Sequence, residues 1–460
     1  MNVLNHRSSV LARPLALVFL TAIGLSCLRG TTPCRAAETP DGKAVTTTWA
    51  AGHPELLELF GRPFAPAGIQ HRKTRFRAWP SKEHRFPFAA SQPTLVRGPK
   101  NQLFAHCWSV IARSIDGGSN WKSLGSPPRG LRTPAGSKLL KNSFDGCGIT
   151  PRGTLLAHLT VQYNDGRPYE GFSDPSYHTD LYVTRSADGG ATWETPIQLN
   201  RGPRENAGAH RCRFATLADG TVALAMGTWF QSESGPLPKA KQFSQAFLWR
   251  SSDDGKSWRR DDRPMCRYGA EPDLLALPSG RLLAAVRYQR HKLPSDPDLL
   301  ASPHLLRSDK PPFTKSRQVG KGLVVRNTAV LHSDDGGKTW SEPRLVTGFD
   351  EQTACLVRLP DNTILLVFGH KTDGSGQRFM ASFDEGRSWS RTVYQLGRNC
   401  QYASTVLLTG NRLVSVSHRI IDGVGIFHAR QWSPPKKTAI GDGGFWIPRP
   451  AEPLGVARSR

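Results

Sequence analysis

Three residues that could do chemistry, Arg211, Glu271 and Tyr402, lie at comparable places in three stretches of the sequence. An arginine, a carboxylate and a phenol are costly to bury unless polar partners satisfy them. Counting back nine residues from the tight turn of each of six similar stretches reaches one row of positions: Gln92, Phe144, Arg211, Glu271, Thr353 and Gln401, with Tyr402 directly after the last. Titratable residues at one level of a repeated structure predict a ligand site at that level.

Each position in this row begins a pair of apolar runs separated by a tight turn. Clear examples are ATLADGTVALAMG, LLALPSGRLLAAVR and CLVRLPDNTILLVFGH. Short apolar runs around Gly, Asn or Asp are typical of β-hairpins. The sequence therefore predicts six hairpins, and the row lies at the start of the first strand of each.

A second motif, S-x-D-x-G-x-x-W, follows five of the six hairpins, with its copies beginning at Ser114, Ser186, Ser251, Ser333 and Ser382. Ser and Asp side chains can accept hydrogen bonds from the backbone of a turn, and Gly permits a positive φ. The Trp can pack back on the neighbouring surface. Calcium binding is the alternative, but no copy carries the full ligand set of an EF-hand loop. The motif predicts a structural turn.

The repeat predicts an all-β fold. Each unit holds enough strand for a four-stranded antiparallel sheet, which cannot bury both faces alone, and radial closure of stacked sheets protects their edges. We expect a six-bladed β-propeller over residues 86–432, preceded by a segment, 37–85, that supplies an outer strand closing the ring. A tail, 433–460, follows. A β-sandwich is the alternative, but it gives no reason for a sixfold repeat.

The N-terminus has the pattern of a secretory signal peptide. Arg7 and Arg13 precede the apolar run LALVFLTAIGLSCL, and small residues follow near Ala36. This predicts a signal peptide over residues 1–36 and a secreted or periplasmic protein with no membrane span after its removal. An uncleaved membrane anchor is the alternative.

Charge and cysteine spacing limit the partners. The chain has 460 residues and a formal net charge of +24, which favours anionic ligands. Its basic residues are spread out and form no nucleic-acid-binding motif, so an acidic glycan is expected and nucleic acid is not. The cysteines lack the spacing of a structural metal site. No metal or organic cofactor is expected. Six cysteines follow the predicted signal peptide: Cys107, Cys147, Cys212, Cys266, Cys355 and Cys400. In an exported protein these six residues either form disulfides or are buried free thiols.

The five S-x-D-x-G-x-x-W copies after strand pairs resemble the Asp-box (BNR) repeats of the sialidase (neuraminidase) superfamily, over roughly residues 87–432. The resemblance implies that the Asp boxes lie opposite the catalytic cleft. Glu271, sixteen residues before Arg287, is similar to the sialidase blade in which a Glu and a carboxylate-binding Arg share one hairpin. Tyr402 is similar to the catalytic Tyr of the last blade.

The resemblance also implies roles for these residues. Tyr402 would attack the anomeric carbon and Glu271 would remove its proton, because a neutral nucleophile suits a substrate that carries its own carboxylate. Arg287, Arg211 and Arg378 would bind that carboxylate. The implied activity is exo-hydrolysis of a terminal acidic sugar, such as sialic acid, from a glycan.

The first blade departs from the family pattern. Ser91-Gln92-Pro93 lacks the first arginine of the family triad, and the insertion that carries the catalytic acid Asp is missing. Other candidates for acid or base lie near the predicted rim: Asp145, Asp165, Glu170, Asp174, His210, His370 and His418. A polysaccharide lyase, another glycosidase or a non-catalytic glycan-binding propeller are therefore alternatives.

Overall fold

The architecture comes from a computed structural model. It describes residues 44–46, 75–78, 82–89, 92–107, 110–126, 128, 131, 133–166, 178–199, 205–207, 212–230, 245–291, 324–348, 350–370, 376–398, 400–421, 424–434, 436–440 and 445–446. The expected signal peptide, 1–36, lies outside these residues, as do most of segment 37–85 and most of the tail. In the part of the chain that is described, no helix has the length and apolar character needed to span a bilayer.

Six of the seven sheets formed by the described strands are blades, one for each predicted hairpin, and we call them blades 1 to 6 in chain order. Within each blade the strands pair antiparallel, and the early strand at Arg75–Ala78 extends the sheet of blade 5 by parallel pairing at its edge. Three strands precede them: β1 (Ala44–Thr46), β2 (Arg75–Ala78) and β3 (Lys82–Ala89). Blade 1 comprises β4 (Thr94–Arg97), β5 (Leu103–Cys107), β6 (Val110–Ser114) and β7 (Lys122–Ser123). Blade 2 comprises β8 (Lys138–Ile149), β9 (Leu155–Asn164), β10 (His178–Ser186) and β11 (Ile197–Gln198). Blade 3 comprises β12 (Glu205–Ala207), β13 (Arg213–Thr216), β14 (Val222–Phe230), β15 (Gln245–Ser251), β16 (Arg259–Arg260) and β17 (Cys266–Arg267).

The second half continues in the same way. Blade 4 comprises β18 (Gly269–Ala276), β19 (Leu282–His291), β20 (Val324–Ser333) and β21 (Arg344–Leu345). Blade 5 comprises β22 (Glu351–Arg358), β23 (Ile364–His370), β24 (Gly376–Ser382) and β26 (Val393–Arg398), with β25 (Trp389–Ser390) beside it. Blade 6 comprises β27 (Gln401–Leu408), β28 (Arg412–Ile421) and β29 (Val424–Trp432). A short helix, α1 (Lys437–Ile440), and β30 (Phe445–Trp446), which pairs with β25, follow.

The blades close into a ring. The inner strands β4, β8, β13, β18, β22 and β27 contact one another in this order, and β27 contacts β4. The outer strand of blade 6 is β3, which pairs antiparallel with β29, so an early strand completes the last blade. The predicted six-bladed propeller is confirmed.

Apolar side chains fill the spaces between neighbouring blades. Alternate residues of each strand face the adjacent blade, as the twofold period of a strand requires. Between blades 5 and 6, for example, Phe379 of blade 5 stacks on Tyr394 of the same blade, with ring centroids 4.8 Å apart, and packs at a tilt against Trp432 of blade 6, with centroids 5.0 Å apart. The six cysteines from Cys107 to Cys400 are buried free thiols and form no disulfide bonds with one another.

The Asp boxes are structural turns, as predicted, and each repeats one hydrogen-bond pattern. In the third box, Ser251 Oγ donates to Asp253 Oδ1 at 2.7 Å, and Gly255 N donates back to Ser251 Oγ at 2.8 Å. Both the backbone and the hydroxyl of Ser257 donate to Asp253, at 2.9 and 2.6 Å. These hydrogen bonds pair the polar groups of the turn with one another. In the first, second and fourth boxes, both glycines have positive φ.

The Asp-box turns also join neighbouring blades. Arg185 Nε of blade 2 donates to the carbonyl of Asp254 in the box of blade 3, at 2.8 Å. Arg250 Nη1 of blade 3 donates to the carbonyl of Gly336 in blade 4, at 2.9 Å. Gln431 Nε2 of blade 6 donates to the carbonyl of Gly117 in blade 1, at 2.8 Å. This end of the molecule is therefore scaffold.

Candidate active site

The opposite end of the inner strands carries a repeated backbone irregularity. In blades 4, 5 and 6 the inner strand bulges, with register shifts between Ala270 and Asp273, Gln352 and Cys355, and Gln401 and Ser404. The first bulged residue of each is left-handed: Glu271 at φ 45°, Thr353 at φ 59° and Tyr402 at φ 57°. Gln92 of blade 1 has the same conformation, with φ 53°.

Left-handed backbone costs a non-glycine residue about 1–3 kcal/mol and concentrates at functional sites. Here it recurs at one level of the ring, which is the level of the predicted row. The strand register assigns Tyr402, and not Gln401, to the same position as Glu271 and Thr353. The bulges thus bring Glu271 and Tyr402 to equivalent places in blades 4 and 6.

Glu271 forms an ion pair with Arg287, as their shared hairpin suggested. Arg287 Nη1 lies 2.6 Å from Glu271 Oε1, and Glu271 is only 3 % exposed. The bulge explains the pairing, because Ala270, directly before Glu271, lies opposite Arg287 in the sheet. Arg287 Nε is buried and makes no hydrogen bond to any described residue. A buried donor of this kind calls for a ligand or water partner.

Tyr402 is buried beside His418 of the same hairpin. The two rings stack with centroids 5.3 Å apart and an interplanar angle of 28°. His418 Nδ1 accepts a hydrogen bond from the backbone N–H of Gln92 at 3.4 Å. This bond connects blade 6 with blade 1 and requires Nδ1 of the imidazole to be unprotonated.

A glycine permits close packing at this level. Gly369 of blade 5 stands where blades 4 and 6 have Arg287 and His418. A Cβ on Gly369 would lie 3.1 Å from the backbone nitrogen of Tyr402 and 3.5 Å from Thr353 Oγ1. The second strand of blade 5 therefore lies directly against the bulge that carries Tyr402.

Arg378 lies in a buried polar cluster of blade 5. Its Nη1 is 2.9 Å from Glu351 Oε1 and its Nε donates to Gln395 Oε1 at 3.3 Å, and the residue is only 2 % exposed. His370 Nδ1 lies 3.9 Å from the same Glu351 oxygen. Glu351 was not among the sequence candidates, although it stands two residues before the row position Thr353. A ligand would have to open this cluster to reach Arg378, and its binding role stays a prediction.

The remaining candidates divide between described and undescribed residues. Asp145 is buried and accepts hydrogen bonds from Ser143 and Thr160. Burial opposes its ionisation, but Lys141 and the neighbouring histidines, with Thr160, lower the pKa of Asp145 below its usual value. An ionised carboxylate is a poor general acid. Asp165 is exposed, while Arg211, Glu170, Asp174 and His210 lie outside the described residues.

Blade 1 has no room for a catalytic insertion. Its strand β5 ends at Cys107 and β6 begins at Val110, whereas the corresponding strands of blade 2 are 10 and 9 residues long. Among the described residues, no three His, Cys, Asp or Glu side chains converge in a way that could hold a metal ion.

Comparison with known proteins agrees with this architecture. The BNR/Asp-box repeat family matches residues 331–342, the fourth Asp box. A protein of unknown function from Dyadobacter fermentans is 17% identical, with 77% of this chain and 98% of that chain covered and a TM-score of 0.54. An α-L-arabinanase from Penicillium chrysogenum, complexed with arabinobiose, is 14% identical, with 76% and 98% covered and a TM-score of 0.50.

A sialidase from Trypanosoma rangeli, in complex with the inhibitor DANA, is 14% identical with a TM-score of 0.47; the match covers 78% of this chain and only 56% of that one. A search of curated proteins finds no significant match. The chain is thus a six-bladed propeller with Asp-box repeats, and at these identities the likeness to the solved structures concerns the fold alone.

Proposed function

We propose that the protein is a glycoside hydrolase that removes a terminal acidic sugar, sialic acid or a related one, from a glycan. The observation that carries the proposal is the shared left-handed bulge, which brings Glu271 and Tyr402 to one level of the ring. Strained backbone is retained where the position of a side chain matters more than local stability.

Tyr402 is the proposed nucleophile. Its phenolic oxygen attacks the anomeric carbon and Glu271 accepts the phenolic proton, while the leaving-group oxygen departs with the bonding electron pair and takes a proton from solvent water. A second water molecule then attacks the anomeric carbon and displaces the Tyr402 oxygen, which recovers its proton from Glu271. The proton that this water loses neutralises the hydroxide left by the first step. The ion pair with Arg287 favours the carboxylate form of Glu271, which is the form that a base needs.

Arg287 is the best placed of the proposed carboxylate-binding residues. It is partly exposed and uses Nη1 for Glu271, while its Nε has no partner among the described residues. We propose that Arg211 and Arg378 assist, the latter after its pair with Glu351 opens. The preference for an anionic sugar follows from these guanidinium groups and from the net charge of +24.

Fluorogenic glycosides test the proposal. The protein is assayed against aryl glycosides of sialic acid, glucuronic acid and arabinofuranose, together with the variant Tyr402→Phe. We expect turnover of an acidic glycoside and a loss of about 10³-fold or more in kcat for Tyr402→Phe. Tyr394→Phe is the matched control, because Tyr394 is a buried tyrosine packed between blades. Equal activity of Tyr402→Phe and Tyr394→Phe would refute the assignment.

A second candidate is a lyase or another glycosidase on the same scaffold. The stacking of His418 on Tyr402 favours it, because a tyrosine and a histidine in contact can act as acid and base. The first-blade arginine that an acidic-sugar hydrolase would use is also replaced, by Gln92. A lyase product would contain an unsaturated uronide with near-ultraviolet absorbance, whereas a hydrolase product would not.

We further propose that the protein is exported, on the basis of the charged and apolar segments of residues 1–36. Cell fractionation with detection of the mature N-terminus checks this, and an intact N-terminus in the cytoplasmic fraction would refute it.

A further inference from the structure

Two residues after each left-handed position, the inner strands carry a small or acidic polar side chain. We call Thr94, Asp273, Cys355 and Ser404 the collar. Each is almost fully buried and accepts a hydrogen bond from the backbone of the next blade. The donors are Cys147 N to Thr94 at 3.1 Å, Leu356 N to Asp273 at 2.6 Å, Thr405 N to Cys355 at 3.2 Å and Leu95 N to Ser404 at 2.9 Å.

The collar ties each bulge to its neighbour. Because the residue bonded to the next blade is only two positions beyond the left-handed one, the inter-blade bond fixes the end of the strained segment. A bulge held on one side by its own sheet and on the other by the next blade has little freedom to relax.

Asp273 is the charged member of the collar. Its Oδ1 accepts from Leu274 N at 3.0 Å, and its Oδ2 accepts from Arg213 Nη1 at 3.1 Å in addition to Leu356 N. The same Arg213 nitrogen lies 2.8 Å from Cys355 Sγ. One carboxylate therefore joins blades 3, 4 and 5, and a charge-assisted bond of this kind is stronger than the neutral bonds elsewhere in the collar.

We propose that Asp273 is a positioning residue for Glu271. It lies two residues beyond Glu271, and Pro272 between them restricts the backbone. By holding the end of the bulge against blades 3 and 5, Asp273 keeps Glu271 in its left-handed conformation and in contact with Arg287. The catalytic part of this inference rests on the proposed function of Glu271, while its geometric part does not.

The variant Asp273→Asn tests the proposal. It keeps the size of the side chain but loses the charge that holds Arg213. We expect kcat on the acidic glycoside to fall about 10- to 100-fold with KM changed less than about threefold, because a small displacement of a catalytic group mainly affects turnover.

Thr94→Val is the matched control. Thr94 occupies the same collar position in blade 1, below Gln92, and its loss removes one buried inter-blade bond. We expect the Tm of Thr94→Val to fall about as much as the Tm of Asp273→Asn, but its kcat to stay within about twofold of the parent protein. Equal kcat losses in the two variants, or a loss confined to KM in Asp273→Asn, would mean that the collar only stabilises the ring, and would overturn the proposal.

A crystal structure of Asp273→Asn tests the geometry without any assay. The proposal expects Glu271 to leave φ 45° or its 2.6 Å contact with Arg287 Nη1 to lengthen. An unchanged Glu271 would overturn it even if the protein proves inactive. Full activity of Tyr402→Phe would instead refute the proposed function and leave this geometric result standing, so the two failures are distinguishable.

Discussion

The two ends of the blades differ in which structural features recur from blade to blade. At the Asp-box end both the residues and their hydrogen bonds recur, as in Ser186 with Asp188 and Ser251 with Asp253. At the bulge end the backbone recurs while the side chains differ, as with Glu271, Thr353 and Tyr402. A scaffold can reuse one solution in each blade, whereas a site needs several groups around one ligand. Divergent side chains on a repeated backbone therefore mark the site.

The largest expected effect separates activity from stability. Glu271→Gln should lower kcat/KM about 10³-fold, because it removes the proposed base. Asp253→Ala should leave kcat unchanged and lower the free energy of unfolding by about 1–2 kcal/mol, since it removes three hydrogen bonds of an Asp box. Enzyme kinetics and urea denaturation of both variants measure whether one variant loses activity and the other loses stability. A loss of kcat in Asp253→Ala would break the contrast between the two ends.

A smaller effect compares two glycines of the scaffold end. A Cβ on Gly255, at φ 84°, would lie 2.8 Å from Leu156 Cδ2, whereas a Cβ on Gly189, at φ 70°, meets nothing within 4 Å. Gly255→Ala should cost about 2–4 kcal/mol from strain and overpacking. Gly189→Ala should cost about 1–2 kcal/mol from backbone strain alone. Chemical denaturation of both variants checks the difference, and equal costs would show that packing on blade 2 adds nothing.

The Asp-box end should also make the protein sensitive to acid. Burial opposes ionisation of Asp253, but hydrogen bonds from Ser257 and Ser251 outweigh it and lower the pKa of Asp253 to about 2. The unfolded chain binds this proton near pH 4, so the stabilisation is complete above that pH and is lost as the pH falls towards 2. The free energy of unfolding, measured as a function of pH, should decline as the pH falls through this window. Asp253→Asn should make that decline shallower. An unaltered decline would assign the acid sensitivity to other carboxylates.

The smallest effect concerns the fifth Asp box. Glu385 has φ 56° at a position where three other boxes have a glycine. Its contact with Arg387 is a surface pair at 3.7 Å, which contributes little. Glu385→Gly should therefore raise the free energy of unfolding by about 0.5–1 kcal/mol. A lower free energy of unfolding in the variant would mean that the surface pair matters more than the backbone strain.

The contrast also explains what could be predicted from the sequence. The six hairpins, five of them followed by an Asp box, predicted the blade count because their contacts are local in the chain. The pairing of Glu271 with Arg287 was accessible for the same reason, since one hairpin carries both. The level of Tyr402 was off by one from simple counting, because Gly410 was taken as the turn residue of the last hairpin, whereas Asn411 is the residue that corresponds to Gly280 and Asn362.

The collar was missed because ring closure creates its contacts. Arg213, Asp273 and Cys355 belong to three blades and meet only when the blades assemble. The signal in the sequence was a Thr, Asp, Cys or Ser two residues after Gln92, Glu271, Thr353 and Tyr402, respectively. The Glu351–Arg378 pair was missed because its two strands are not sequential neighbours, although they belong to one sheet.

The pairing of β3 with β29 has a consequence for folding. The outer strand of blade 6, Lys82–Ala89, precedes all of β4 to β28, and its partner Val424–Trp432 follows them. Blade 6 therefore cannot be complete until nearly the whole ring has been synthesised. Contacts between such distant segments are entropically expensive and slow to form. Refolding should accordingly end in a slow step that joins the two ends of the ring, and a cut that separates residues 82–89 from the remainder should leave blade 6 with an open edge prone to pair with other chains.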